Sequence, residues 1–303
     1  MRILLFVPSY NDTASAHRLS KKILENEHVE RALIVDDSDD PESVEFSRSI
    51  EDREIDVVRR ARSGKWSAWR LALARSLDYD GLVEVDSDVD VGDPDTLISS
   101  LDGYDVVTAY QDFAIPPRRA FFSRRIAEIY RSMHRGLRGA SKFNMGGQVI
   151  ALSRRAASML TERGFFEEPV LADDHVICLA SRLLGLRCTT VDCGLRIRLP
   201  SRLSEWMRYR SRHRGTIRWA EEYVASKIGE RRRIVKISKR DYNTTRSFFL
   251  RSLLRPFHPL NPLILAFFGV CSLLPLEDRF EWSMLRSTKI GQFTILPLFY
   301  RFL

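Results

Sequence analysis

Cysteine is scarce in this chain. Four residues in 303, Cys178, Cys188, Cys193 and Cys271, offer neither metal-ligand spacing nor the density of a disulfide scaffold. That usage suits a reducing cytoplasm. Long apolar runs are missing too. The opening MRILLFVPSY reaches Pro8 before an apolar signal region can form, so no signal peptide is expected. The longest apolar stretch, LNPLILAFFGVCSLLPL (260–276), has 17 residues and two internal prolines, short of the roughly 20 that a spanning helix needs. There is no internal repeat and no low-complexity segment. The G-x-x-x-x-G-K pattern of a phosphate-binding P-loop is also absent, although Gly64-Lys65 supplies its last two letters.

What is present is a chain of 44% apolar residues, enough to bury one large core or two small ones. Its net charge of +8 is unevenly spread. Residues 196–255 hold 18 Lys and Arg against 5 Asp and Glu, while the remainder holds 30 against 35. An acidic body with a basic C-terminal segment is not the footprint of a uniformly basic nucleic-acid binder, and no nucleic-acid partner is expected. It points to local attraction for phosphates, on a substrate or at an anionic membrane surface.

The N-terminal half alternates regularly. RILLFV (2–7), RALIV (31–35), IDVV (55–58), GLVEV (81–85) and DVVTA (105–109) read as strands. Helices are predicted over 14–27, after Asp40-Pro41, over 66–77 and after Asp93-Pro94, the two Asp-Pro pairs supplying an N-cap and a first helical residue. Such alternation implies a doubly wound, mostly parallel sheet, which binds ligands beyond the carboxyl ends of its strands. In the second half, 143–160 reads as loop, strand and a helix capped by Ser153. A helix starts near Asp173 and stops at Gly185, and 202–228 is a long basic helical stretch with a break expected at Gly215. Residues 1–200 are thus expected to form one α/β domain and 201–303 a basic helical extension. The apolar run at 260–276, with 293–303 behind it, reads either as an interfacial membrane anchor or as a pair of core or dimer-interface helices.

Acidic and basic clusters recur at the strand ends: Tyr10-Asn11-Asp12, Asp36-Asp37, Arg62-Ser63-Gly64-Lys65 and Asp86-Ser87-Asp88. Five aspartates fall in residues 86–95, and only Asp93 has a plain job as a helix cap. Crowded carboxylates repel, and a hard divalent cation is the usual remedy. Singly, each cluster reads as a cap or a solvated turn; four on one rim read as a site.

The segments VPSYND, IVDDSDD, RSGKWSAWRLALA, VDSD, GGQVIALSRRA with GFFEE, and ADDHVICLASRLLG stand in an order and spacing that resembles family 2 glycosyltransferases of GT-A fold, over roughly residues 1–195. The resemblance implies a GT-A-like α/β sheet and a nucleotide-diphospho-sugar donor. Pro8, Tyr10 and one of Asp36 or Asp37 would hold the base and ribose, with Arg62 and Lys65 near the nucleotide. Asp86 and Asp88 would form the D-x-D pair on Mn²⁺ or Mg²⁺, Asp88 as the direct ligand and Asp86 nearer the ribose. Asp173-Asp174 stands where that family has an E-D pair, so Asp174 would be the catalytic base. His213, between Arg212 and Arg214, reads as a third metal ligand, a diphosphate contact or a solvated side chain. Processive members carry Q-x-x-R-W; here Gly215-Thr216-Ile217-Arg218-Trp219 lacks the Gln, which argues against polymer synthesis.

The chemistry fits independently. Displacing a nucleoside diphosphate needs neutralised phosphates and one general base, whereas glycoside hydrolysis needs two carboxylates flanking the bond. The expected activity is therefore metal-dependent, inverting, non-processive glycosyl transfer to an acceptor hydroxyl or lipid phosphate. The place would be the cytoplasm or the inner face of the cell membrane. Three rivals stand beside it. A sugar nucleotidyltransferase wants a glycine-rich loop after the first strand, and PSYNDTASA has no glycine. A receiver-type module wants its paired acids after the first strand, not the second. A catalytically inactive, GT-A-like nucleotide-binding or membrane-anchored interaction protein would not need the intact D-x-D and Asp174.

Overall fold

The computed structural model describes residues 1–50, 52–116, 120–140, 147–200, 202–254 and 259–271. In chain order the elements are β1 (Ile3–Ser9), α1 (Thr13–Leu24), β2 (Val29–Asp36), α2 (Pro41–Ser49), β3 (Ile55–Arg59), α3 (Lys65–Ser76), β4 (Gly81–Val85), α4 (Pro94–Ser99), β5 (Val106–Ala109), β6 (Asp112–Ala114) and α5 (Phe121–Ala140). There follow β7 (Val149–Ser153), α6 (Arg154–Glu162), α7 (Asp173–Leu183), β8 (Cys188–Val191), β9 (Arg196–Arg198), α8 (Leu203–Ile228), α9 (Arg231–Leu254) and α10 (Asn261–Cys271).

Seven strands form one sheet in the order β3-β2-β1-β4-β7-β5-β8, with β6 and β9 as a separate parallel pair. All neighbours in the large sheet are parallel except β7, which runs antiparallel to both β4 and β5. The reversal has a consequence for the site. It brings Gly147-Gln148, the residues just before β7, to the carboxyl end of β4, where the Asp86 N–H donates to the Gln148 carbonyl at 2.9 Å.

The helix boundaries follow local rules. Asp40 and Asp93 accept from the N–H groups of Ser43 and Thr96 at 2.9 and 3.2 Å, and Ser153 caps α6 through Ala156 N–H at 3.2 Å. Gly185 (φ +72°) follows the end of α7 and Gly229 (φ +82°) that of α8, conformations that glycine adopts without penalty. The break expected at Gly215 does not occur: α8 runs unbroken from Leu203 to Ile228. A mid-helix glycine costs only about 1 kcal/mol, and tertiary packing of Trp206, Ala220 and Val224, all fully buried, outweighs it.

The sheet is covered on both faces, as parallel sheets require. On one face Leu5, Val83, Val85, Ile126 and Trp206 belong to one core, which extends to Leu253, Ile264 and Phe268 near the C-terminal end of the described chain. On the other, Phe6, Leu82, Trp69, Phe166 and Val176 form a second core. Trp69, fully buried, packs edge-on against Phe6 (5.4 Å) and stacks on Phe166 (5.8 Å). Trp66, on the same helix, is partly buried against this core. The apolar run at 260–276 is represented by α10, its remainder lying outside the described residues, as does 293–303. Among the described residues no helix is long and apolar enough to cross a membrane.

Candidate active site

The carboxyl ends of β1 to β4 meet the start of β7 and the N-terminus of α7 on one rim. At its centre lies Lys65, the first residue of α3, turned inward after Gly64 (φ +85°). Its ammonium lies 2.8 Å from Glu84 Oε1, 2.9 Å from Asp86 Oδ1 and 3.1 Å from Asp173 Oδ2, with the Gly147 carbonyl at 3.4 Å. Burial alone would push the Lys65 ammonium down. The three carboxylates outweigh that and hold it well above its ordinary range, so it stays charged. Burial in turn raises the Asp86 carboxyl, with Lys65 opposing, and raises Glu84 much further.

Asp173 and Asp174 occupy the first turn of α7. Asp173 is held from both sides, by Lys65 and by the Trp69 indole N–H at 2.8 Å. Asp174 accepts only its neighbour's N–H, from His175 at 2.8 Å, among the described residues. Burial, and then the charge of Asp173, lift its carboxyl to about 6. Gly147 lies against it: a β-carbon there would come within 2.7 Å of Asp174 Cβ and Cγ. Glycine is required by that close approach rather than by its dihedral angles.

The D-x-D loop is tied to the start of α1 by Ser87, whose hydroxyl donates to Asp12 Oδ2 at 3.3 Å. Asp88 has no hydrogen-bond partner among the described residues. Nor do three His, Cys, Asp or Glu side chains among them converge as a ready metal cluster. Two adjacent carboxylates make an incomplete shell of hard oxygen ligands. Mn²⁺ and Mg²⁺ commonly complete such shells with water and substrate phosphates, so this donor set fits a cation that arrives with a diphosphate.

Beside this centre lies a second group of polar residues. Asp36, fully buried, accepts from Thr13 Oγ1 at 3.0 Å and Ser38 N–H at 3.2 Å through Oδ1, while its Oδ2 lies 3.7 Å from Arg59 Nε. Asp37 accepts from Arg60 Nε (2.7 Å) and from the N–H groups of Ser63 and Gly64 (3.2 and 3.0 Å). It thereby staples the loop that carries Arg62 and Lys65. Pro8, half buried, is the penultimate residue of β1, level with Val35. Tyr10 lies beneath the Arg62 guanidinium at 4.3 Å and donates to Asp39 Oδ2 at 3.0 Å. Asn11, at φ +53°, bonds Asp39 through both ends of its amide.

Of the residues singled out in the sequence, Lys65, Asp86, Asp88 and Asp174 thus share one cluster. Pro8, Tyr10, Asp36, Asp37 and Arg62 line the adjoining strand ends. His213 lies on α8, but its side chain is outside the described residues. Glu84, Asp173 as a bridged partner, Trp69 as a hydrogen-bond donor and Gly147 were not predicted. The one available signal was a single acid inside the otherwise apolar GLVEV.

No protein-family model and no curated protein matches the chain. Solved structures do. A mannosyltransferase from Pyrobaculum calidifontis, in complex with GDP-Man and Mn²⁺, superimposes with a TM-score of 0.50 at 19% identity, over 90% of this chain and 81% of that one. The glucosyl-3-phosphoglycerate synthase from Mycobacterium tuberculosis, in complex with phosphoglyceric acid, gives 0.47 at 17% identity, over 75% and 80%. The likeness to the mannosyltransferase is one of fold, and the GT-A-like, mostly parallel sheet expected from the sequence is the fold observed.

Proposed function

We propose that this chain is a glycosyltransferase that moves a sugar from a nucleotide-diphospho-sugar to an acceptor, with inversion and one residue at a time. The observation that carries the reading is the convergence on Lys65: one buried ammonium joins the D-x-D loop to the acid pair of α7, leaving Asp88 and Asp174 without a side-chain partner among the described residues. The fold it shares with a mannosyltransferase that binds GDP-Man and Mn²⁺ supports the same reading.

In this scheme residues 1–200 carry the chemistry. Pro8, Tyr10 and Asp36 hold the base and ribose side of the donor, with Arg62 beside the nucleotide. Asp37 acts by fixing the loop that presents Arg62. Asp88, with Asp86, would hold Mn²⁺ or Mg²⁺, which when bound supplies positive charge to the leaving diphosphate. Asp174 takes the proton from the acceptor hydroxyl as that oxygen bonds to the anomeric carbon, while the bond to the diphosphate breaks on the opposite face. Asp173 is held by Lys65 and Trp69 and is therefore not the base. A carboxyl raised to about 6 is ionised at neutral pH yet a better proton acceptor than an ordinary aspartate.

A lipid-linked acceptor at an anionic membrane surface is favoured by one feature. Phe121, Leu263 and Leu265 are exposed (61%, 60% and 52%) beside the basic C-terminal helices. Flotation with phosphatidylserine vesicles tests it; equal recovery with neutral vesicles, or binding unchanged at high salt, would count against it.

The test of transfer is calorimetry with UDP-, GDP-, dTDP- and CDP-linked sugars, each with and without Mn²⁺. One nucleotide class should bind, and lose its affinity in chelator and in Asp88→Ala. Absence of binding under every condition would defeat the reading in favour of a catalytically inactive interaction protein.

A further inference from the structure

Strand β4 lies in the middle of the sheet between β1 and β7, and its residues alternate between the two cores. Val83 and Val85 enter one; Leu82 enters the other. Glu84 shares the Leu82 face, where an apolar side chain would be expected, and is fully buried. Its one partner among the described residues is the Lys65 ammonium. Such a pair is a poor stabiliser, since replacing it by apolar residues is often neutral or favourable. Its retention at the foot of the rim calls for another account.

Geometry supplies one. Glu84 is the penultimate residue of β4, and Asp86 is the first residue beyond its carboxyl end, nearer the rim. Lys65 reaches both, and its third partner is Asp173 on α7. One turn further along α3, Trp69 donates to the same Asp173 oxygen. The start of α3 is therefore a brace between Asp86, just past the end of β4, and the acid pair of α7. Of the three carboxylates on Lys65, Glu84 is the one farthest inside the sheet and the one on an element that cannot shift without breaking strand pairing.

We infer that Glu84 is a positioning residue: it anchors the Lys65 ammonium from below and so fixes where Asp86 and Asp173 stand relative to each other. The inference rests on the transfer reading for its consequence, which is the alignment of Asp88 with Asp174. It makes no contact with substrate and does not act as acid or base.

Glu84→Leu and Glu84→Gln in the full chain separate this from a purely structural role. Gln keeps an oxygen for Lys65; Leu does not. Two readouts apply. The first is the indole ¹⁵N–¹H resonance of Trp69, picked from the five tryptophans by its loss in Trp69→Phe. It should move in Glu84→Leu and stay in place in Glu84→Gln. This readout needs no activity. The second is transfer with the donor found by the nucleotide panel. Glu84→Leu should lower kcat at least tenfold with donor KM within about twofold, Glu84→Gln should recover most of it, and neither should melt below the parent. An unmoved Trp69 resonance overturns the inference whether or not the chain transfers sugar. So does a parental kcat in Glu84→Leu, or a fall in kcat that tracks a fall in Tm equally in both variants. A parent that binds no nucleotide sugar overturns the transfer reading, and the resonance still decides the brace.

Discussion

Replacing Lys65 by methionine removes one charge from among three acids. Glu84 is fully buried, and Lys65 Nζ is its one partner among the described residues. Deleting one partner of a buried ion pair costs about 3–5 kcal/mol, because the other charge is left uncompensated. At about 2–4 °C per kcal/mol in domains approaching this size, Tm should fall by on the order of 10 °C. The deficit should depend on pH, and its sign is fixed. Glu84 and Asp86 already stand above the ordinary carboxylate range, mainly through burial, with Lys65 pulling both down. Without the ammonium they rise further, so the folded variant binds more protons than its unfolded chain. Stability held in that way is present at low pH and lost as pH rises through the folded-state values. The loss relative to the parent should therefore be larger at pH 8 than at pH 5. Adding Glu84→Leu to Lys65→Met removes the stranded acid and should restore part of the stability, a coupling that a double-mutant cycle measures. Differential scanning calorimetry of the four proteins at both pH values is the assay. A Lys65→Met variant that melts within 2 °C of the parent at pH 8 would refute the reasoning, as would a deficit that grows on acidification.

Two further outcomes follow from the geometry around Asp174. Asp174→Asn should cut kcat by about 10²–10⁴ while calorimetry finds donor binding intact, and the parent's kcat/KM should climb with pH through about 6 before levelling, since the protonated carboxyl cannot act as base. A flat profile from pH 5 to 8 would remove Asp174 from that role. Gly147→Ala places a methyl against Asp174 Cβ and Cγ, and Cβ is fixed by the α7 backbone and cannot rotate away. It should lower kcat at least tenfold and leave nucleotide affinity within about threefold; equal losses in both would point to collapse of the whole rim.

Much of this molecule is readable without coordinates. Asp40-Pro41, Asp93-Pro94, Ser153 and Gly185 punctuate helices by local rules, and each does so here. Alternating apolar strands and helices implied a doubly wound sheet with ligands at its carboxyl edge, and the four polar clusters do lie on that edge. What stayed hidden depends on partners far apart in the chain. Gly215 looked like a break because local propensity disfavours it, but packing on either side carries α8 through. Asp36 and Asp37 looked alike, yet only Asp37 is the staple for the Ser63-Gly64 turn.

The sequence by itself determined the order of the elements from β1 to β5 and the strand ends that carry acids and bases. These are matters of period, capping and residue type over a few positions. Only the tertiary structure decided that β7 runs backwards and so carries Gly147 to Asp174. It also decided that Lys65 turns inward to bind acids on two other elements, and that Glu84 lies beneath them all. Sequence separation hides such contacts: Lys65 meets Glu84, Asp86 and Asp173 only after the sheet has closed around it. A buried charge then acquires its meaning from neighbours that no local pattern can specify.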